Sequence, residues 1–124
     1  MKKQISTQAA PAAIGPYSQA IEANGFVYCS GQLPIDPATG EMPEGIEAQT
    51  EQSLANVSAI LTEAGLTLSD VVKTTVYLAD MSLFVPMNGV YARLFEAPYP
   101  ARSAYDVKEL PKQALVEIEV IAAR

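Results

Sequence analysis

Apolar and polar positions fall into two periods along the chain, and the change from one to the other outlines its elements. Tyr17 to Ala23 and Phe26 to Ser30 flank Asn24-Gly25, the pair preferred for a two-residue primed turn, so they read as a β-hairpin. That turn places Gln19 opposite Ser30, with Tyr17 one step diagonal on the same face. The proline-rich stretch from Leu33 to Pro43 reads as turn and loop. From Ile46 to Ala64 the period changes: Thr50, Ser53, Leu54, Val57, Ile60, Leu61 and Ala64 form a stripe with helical spacing, and Gly65 supplies its stop. Val71 to Leu78 is β-branched and alternating, hence a strand. A second helix, capped by Asp80 or Ser82, runs to about Phe95 with Pro86 kept near its first turn. Gly89 weakens it by ~1 kcal/mol relative to Ala. Beyond Pro98 and Pro100, Ala101 to Val107 and Leu115 to Ala122 read as two closing strands.

Two strand–helix–strand crossovers predict parallel neighbours and two hairpins predict antiparallel ones. The fold class is therefore α+β, a mixed sheet with both helices packed on one face. In the last strand Val116, Ile118 and Val120 point one way, and Leu115, Glu117, Glu119 and Ile121 the other. The second set is neither cleanly polar nor cleanly apolar, as where a sheet meets another subunit around a polar site.

Composition narrows the chemistry. The 124 residues suit a single domain, 1–124, and carry 8 Lys+Arg against 14 Asp+Glu, a net charge of −6. Apolar residues make up 49% and charged ones 18%, so part of the surface is expected to be subunit interface. The absence of His removes Ser-His-Asp and Cys-His nucleophile systems and nearly all catalytic zinc sites. One cysteine, Cys29, forms no internal disulfide and reads as a small buried hydrophobe. The acidic balance, with no basic run, weighs against nucleic acid as a partner. Gln4, Ser6, Thr7 and Gln8 interrupt what a signal peptide would need after Lys2-Lys3, and no stretch has the length of a membrane span, so a cytoplasmic location is expected.

If the segment from Lys108 to Ala114 turns symmetrically about Leu110-Pro111, the last two strands form a hairpin in which Arg102 faces Glu119. Such a pair is most often an ordinary cross-strand ion pair. In the alternative, Arg102 grips a substrate carboxylate through its two-pronged guanidinium while Glu119 handles a water. Spacing leaves both open.

Ordered blocks along nearly the whole chain resemble the RidA family, also called the YjgF family of reactive intermediate deaminases. They are Ala12-Ala-Ile-Gly-Pro-Tyr-Ser-Gln-Ala20, Ser30-Gly-Gln-Leu-Pro34, Gln52-Ser-Leu-Ala-Asn-Val57, Val72-Lys-Thr-Thr-Val-Tyr-Leu78, Met87-Asn88 with Val90-Tyr91, Pro100-Ala-Arg-Ser103, and Leu110-Pro111 followed by Val116-Glu-Ile-Glu-Val-Ile-Ala122. The resemblance implies a chorismate-mutase-like subunit in a homotrimer with sites at the subunit interfaces. It implies hydrolysis of enamine/imine acids of the 2-aminoacrylate and 2-iminobutanoate type to 2-keto acids and ammonia, with neither cofactor nor metal. By the same resemblance Arg102 matches the carboxylate-binding arginine and Glu119 the acid associated with water. Tyr17, Ser30, Gly31 and Asn88 match pocket-lining residues, and Ala104 stands where many members carry Cys. Bland readings remain beside these: Tyr17 as a buried ring ending a strand, Asn88 as a tertiary hydrogen-bonding group, Tyr77 and Tyr91 as packing, Glu47 and Glu51 as a solvated helix face. Two other functions stay open, a 2-keto acid-binding regulatory trimer and an RNA-cleaving translation inhibitor.

Overall fold

A computed structural model describes all residues, Met1–Arg124. Eight principal elements follow in order: β1 (Lys3–Ile5), β2 (Ala20–Ala23), β3 (Phe26–Gln32), α1 (Ile46–Glu63), β4 (Val71–Leu78), α2 (Phe84–Leu94), β5 (Ala101–Asp106) and β6 (Val116–Ala123). The strands form one six-stranded mixed sheet in the order β1-β2-β3-β6-β4-β5, and the fold is α+β.

The local predictions that rest on turn and cap chemistry hold. Asn24 and Gly25 both adopt positive φ (53° and 81°), as a type I′ turn demands. The register is the expected one, with Ala20 against Cys29 and Ser30 N–H donating to the Gln19 carbonyl at 2.9 Å. At the end of α1, Gly65 N–H bonds the Thr62 carbonyl and Leu66 N–H the Leu61 carbonyl, a Schellman stop that uses the positive φ of Gly65. Every residue of the predicted α1 stripe is buried. So are Gln49 and Asn56, polar residues the stripe omitted. Their amides serve backbone groups: Asn56 donates to the Leu33 and Ile35 carbonyls, and Gln49 joins the Pro43 carbonyl to Leu115 N–H. Asp80 caps a short 3-10 turn, Met81–Leu83, that leads into α2, and Pro86 lies in the first turn of α2, where a missing N–H costs least.

Three expectations are corrected. β2 begins at Ala20 rather than Tyr17, because the buried Gln19 side chain donates to the Thr7, Ala10 and Pro11 carbonyls and accepts from Thr7 N–H, tying the preceding residues into a loop. The first crossover does not make β3 and β4 neighbours, since β6 lies between them; only β4 and β5 pair in parallel. The closing hairpin does not form. Residues 107–115 instead carry the chain across β4, with Val107 N–H on the Leu78 carbonyl and Ala79 N–H on the Leu115 carbonyl. Burial explains the central position of β6: Val116, Ile118, Val120 and Ala122 are at most 2% exposed there, which an edge strand would not achieve. β1, three residues long, was not anticipated.

Both helices cover that face of the sheet, and 21 buried residues form one core cluster beneath them. No helix is long and apolar enough to cross a membrane.

Candidate functional site

Because β4 separates β5 from β6, the two residues carrying the expected chemistry take different registers. Arg102 pairs with Thr74 and Glu119 with Thr75, successive residues whose side chains leave β4 on opposite faces. Arg102 and Glu119 therefore do not face each other within the chain.

On the helix-covered side, α2 presents Phe84, Asn88 and Tyr91, spaced to share one helical face, to the edge strand. Arg102 Nη1 donates to Asn88 Oδ1 at 2.6 Å, and its guanidinium carbon lies 4.8 Å from the Tyr91 ring centroid and 5.4 Å from that of Phe84. The ion pairs of the molecule are Arg93–Glu51 and Arg124–Glu22. Arg102 is thus oriented by neutral groups and has no carboxylate partner, so the cross-strand ion pair is not what holds it. Asn88 has the tertiary hydrogen bond its helix position suggested, and its acceptor role is to hold Arg102. Ala104, two residues on, packs against the core.

On the open side a bulge shapes the other half. Between the Cys29–Val120 and Gln32–Ile118 pairs, both Ser30 and Gly31 stand against the single residue Glu119. Ser30 Oγ donates to the Ser18 carbonyl at 2.6 Å, linking the bulge to the loop that bears Tyr17. That loop leaves the Tyr17 ring 53% exposed, which excludes the buried-ring reading. Gly31 leaves space for a carboxylate: a Cβ there would sit 3.0 Å from the Glu117 carboxyl carbon. Burial, with the Glu119 charge beside it, raises the Glu117 pKa. Glu119 itself accepts from the Tyr77 hydroxyl at 2.7 Å, a bond that raises the Tyr77 pKa because ionising the phenol would sacrifice it. Tyr77 also meets Tyr105 edge-on, and Lys73 Nζ donates to Ser103 Oγ at 3.2 Å. Burial, then the nearby Glu119 charge, pushes the Cys29 thiol up to about 12, leaving it a protonated hydrophobe and not a nucleophile.

Residues 7–124 match the family model described as Endoribonuclease L-PSP. The chain is 55% identical over 123 residues to a RutC family protein of Pyrococcus horikoshii, covering 98% of each. It is 47% identical over 127 residues to a 2-iminobutanoate/2-iminopropanoate deaminase of Escherichia coli, covering 100% of this chain and 99% of the relative. The chain belongs to the RidA family. Its fold agrees: a crystal structure of E. coli TdcF with bound serine matches this RidA-family chain with a TM-score of 0.95 at 46% identity, covering 98% of both chains.

Within this family member the expected site residues form two groups. Ser30, Gly31 and Glu119 gather on the open face near the Tyr17 loop, while Arg102, Asn88 and Ala104 lie on the other side at the β5 edge. The clefts beside the Gln4–Gln19 loop, beside Arg124 and at Glu109–Gln113 contain neither Arg102 nor Glu119. Sequence reasoning missed Glu117 as a site candidate, although its place on the same strand face as Glu119 was visible from alternation. It also read Tyr77 as packing, where its hydroxyl engages Glu119. No group of three or more His, Cys, Asp or Glu is placed to hold a metal ion.

Proposed function

We propose that the protein hydrolyses imine acids of the 2-iminopropanoate and 2-iminobutanoate type to 2-keto acids and ammonia, without cofactor or metal. The observation that carries this reading is Arg102, a guanidinium held in place by Asn88 and two rings with no carboxylate to neutralise it. Four of its five N–H groups remain for a ligand, and a planar fork of that kind suits a carboxylate. The deaminase of E. coli supports the reaction class, and the TdcF structure with bound serine supports a ligand bearing a carboxylate.

The active unit in this reading is a homotrimer. The β5 edge of one subunit, carrying Arg102, lies against the open face of the next, so that each site combines an arginine with the carboxylates and bulge of a neighbour. The half-buried Glu117 and Glu119 and the exposed Tyr28 and Tyr105 on that face, together with Tyr17 on its loop, support an interface there. Arg102 orients the substrate carboxylate, which places the electrophilic imine carbon. A carboxylate of the open face accepts a proton as water adds to that carbon and returns it to the imine nitrogen, giving a carbinolamine; the carbinol O–H proton then passes to the nitrogen by the same route as the C–N bond breaks, the C=O bond forms and ammonia leaves. Glu117 suits this step better than Glu119. Its raised pKa brings it closer to neutral working conditions, and the missing side chain of Gly31 makes room for its carboxyl, whereas Glu119 is engaged by Tyr77. Ser30 and Tyr17 line the same side.

The test generates 2-aminoacrylate with a pyridoxal-phosphate-dependent serine dehydratase and times pyruvate release with and without this protein. Faster release that disappears in Arg102→Ala supports the reading. Release at the spontaneous rate, with pyruvate still bound, would favour the regulatory trimer instead. Light scattering at micromolar concentration should give about three times 13.2 kDa; a monomer would remove the shared site. RNA cleavage has the weaker support here, from a chain of net charge −6 without histidine.

A further inference from the structure

The arrangement beneath Arg102 contains more than packing requires. Tyr91 is 5% exposed, its ring 4.8 Å from the guanidinium carbon, and its hydroxyl shares a 2.8 Å hydrogen bond with Thr74 Oγ1. Thr74 is fully buried and is the β4 residue in register with Arg102 itself. The contacts form a closed circuit: the Arg102 backbone is aligned with Thr74, the Thr74 hydroxyl fixes the Tyr91 hydroxyl, and the Tyr91 ring returns under the Arg102 side chain. Phe95, 4.5 Å from Tyr91 ring to ring, prevents the ring from retreating. An arginine on an exposed edge strand otherwise samples many rotamers, each of which would misplace its fork.

The geometry points to Tyr91 as a positioning residue for ligand binding: its ring face, locked by Thr74, presets the Arg102 guanidinium for a planar carboxylate. This rests on the reading of Arg102 as the carboxylate clamp. Asn88 defines the edge of the guanidinium that is already occupied, and the Tyr91 face defines the plane in which the remaining N–H groups lie. A preset fork loses less freedom on binding, so the effect falls on affinity and on KM, with little change in kcat. The ring acts through its negative face, an electrostatic role that a space-filling side chain cannot perform.

The experiment measures 2-oxobutanoate affinity by calorimetry and steady-state KM and kcat for the imine. Tyr91→Leu is expected to lower affinity and raise KM about 2- to 30-fold, the range of a cation–π contact, and Tyr91→Phe, which keeps the ring face but loses the bond to Thr74, to restore part of the loss. Because Tyr91→Leu risks the fold, phenylalanines carrying one, two and three ring fluorines are also placed at position 91. Compared with Tyr91→Phe, which shares their missing hydroxyl, they keep the shape and drain the ring face, so affinity should fall stepwise with fluorine number while the melting temperature stays level with that of Tyr91→Phe. Arg102→Ala is the reference in every series. If Arg102→Ala binds 2-oxobutanoate as well as the parent, the clamp reading itself fails. If Arg102→Ala loses binding but fluorination leaves affinity flat, Tyr91 is only packing and this inference is overturned.

Discussion

On one side of β6, Val116, Ile118, Val120 and Ala122 are at most 2% exposed beneath the helices; on the other side of the same strand Glu117, Glu119, Ile121 and Ala123 are only half-buried. The covered side completes its burial within one chain and leaves no buried side-chain polar atom without a partner. The open side keeps two neighbouring carboxylates, a bulge and several aromatic rings accessible. Along β6, strand alternation therefore sets the buried apolar side chains on one face and the two carboxylates on the other, so on the proposed reading a β6 residue's face predicts which property its substitution will disturb.

The largest effect expected from testing this contrast is catalytic and comes from the open face. Glu117→Gln should fold normally and slow imine hydrolysis ~10²–10⁴-fold, the usual contribution of a general base. Glu119→Gln should cost far less, since Gln still accepts from Tyr77. Equal losses in stopped-flow rates would remove the distinction between the two carboxylates.

Ile118→Ala, between those two residues in sequence but on the covered face, should reverse the pattern. It should lose ~2–5 kcal/mol in a denaturant melt while ligand affinity per folded subunit is kept. A loss below 1 kcal/mol would mean that the covered face is not the source of stability.

Arg102→Lys keeps the charge and loses the fork. Affinity for 2-keto acids should fall roughly 10- to 150-fold, equivalent to ~1.5–3 kcal/mol for one charge-assisted hydrogen bond, with little change in melting temperature. Lowered stability with intact binding would make Arg102 structural.

The smallest effect is a pH dependence. Burial and the Glu119 charge hold the Glu117 pKa above its ordinary 4.5, so folding favours the protonated form. That contribution is present in full below pH 4.5 and is lost as pH rises through the raised value. At neutral pH Glu117→Gln should therefore melt slightly higher than the parent, and the gap should close as pH falls to 4.5. A gap that widens toward acid pH would reverse the assigned direction.

The features visible in the amino-acid order are those whose causes lie within a few residues. Asn24-Gly25 sets its turn because few other pairs tolerate two positive φ values, and Gly65 ends α1 for the same reason. The α1 stripe and the β4 alternation follow from helical and strand periods. The family resemblance singled out Arg102, Asn88, Ser30 and Gly31, and the structure brings them into two groups, not one. Tertiary structure alone decided that β6 inserts between β3 and β4, and with that choice whether Arg102 and Glu119 share a face. A symmetric turn at Leu110-Pro111 was locally reasonable, yet burying Val116, Ile118, Val120 and Ala122 between two strands outweighs the short connection. Gln19, Gln49 and Asn56 show the same limit, for their amides answer backbone groups 6 to 66 residues away. Period and turn chemistry act through neighbouring dihedral angles, whereas strand order and buried polar partners depend on which distant segments close on one another, a free-energy balance no local pattern encodes.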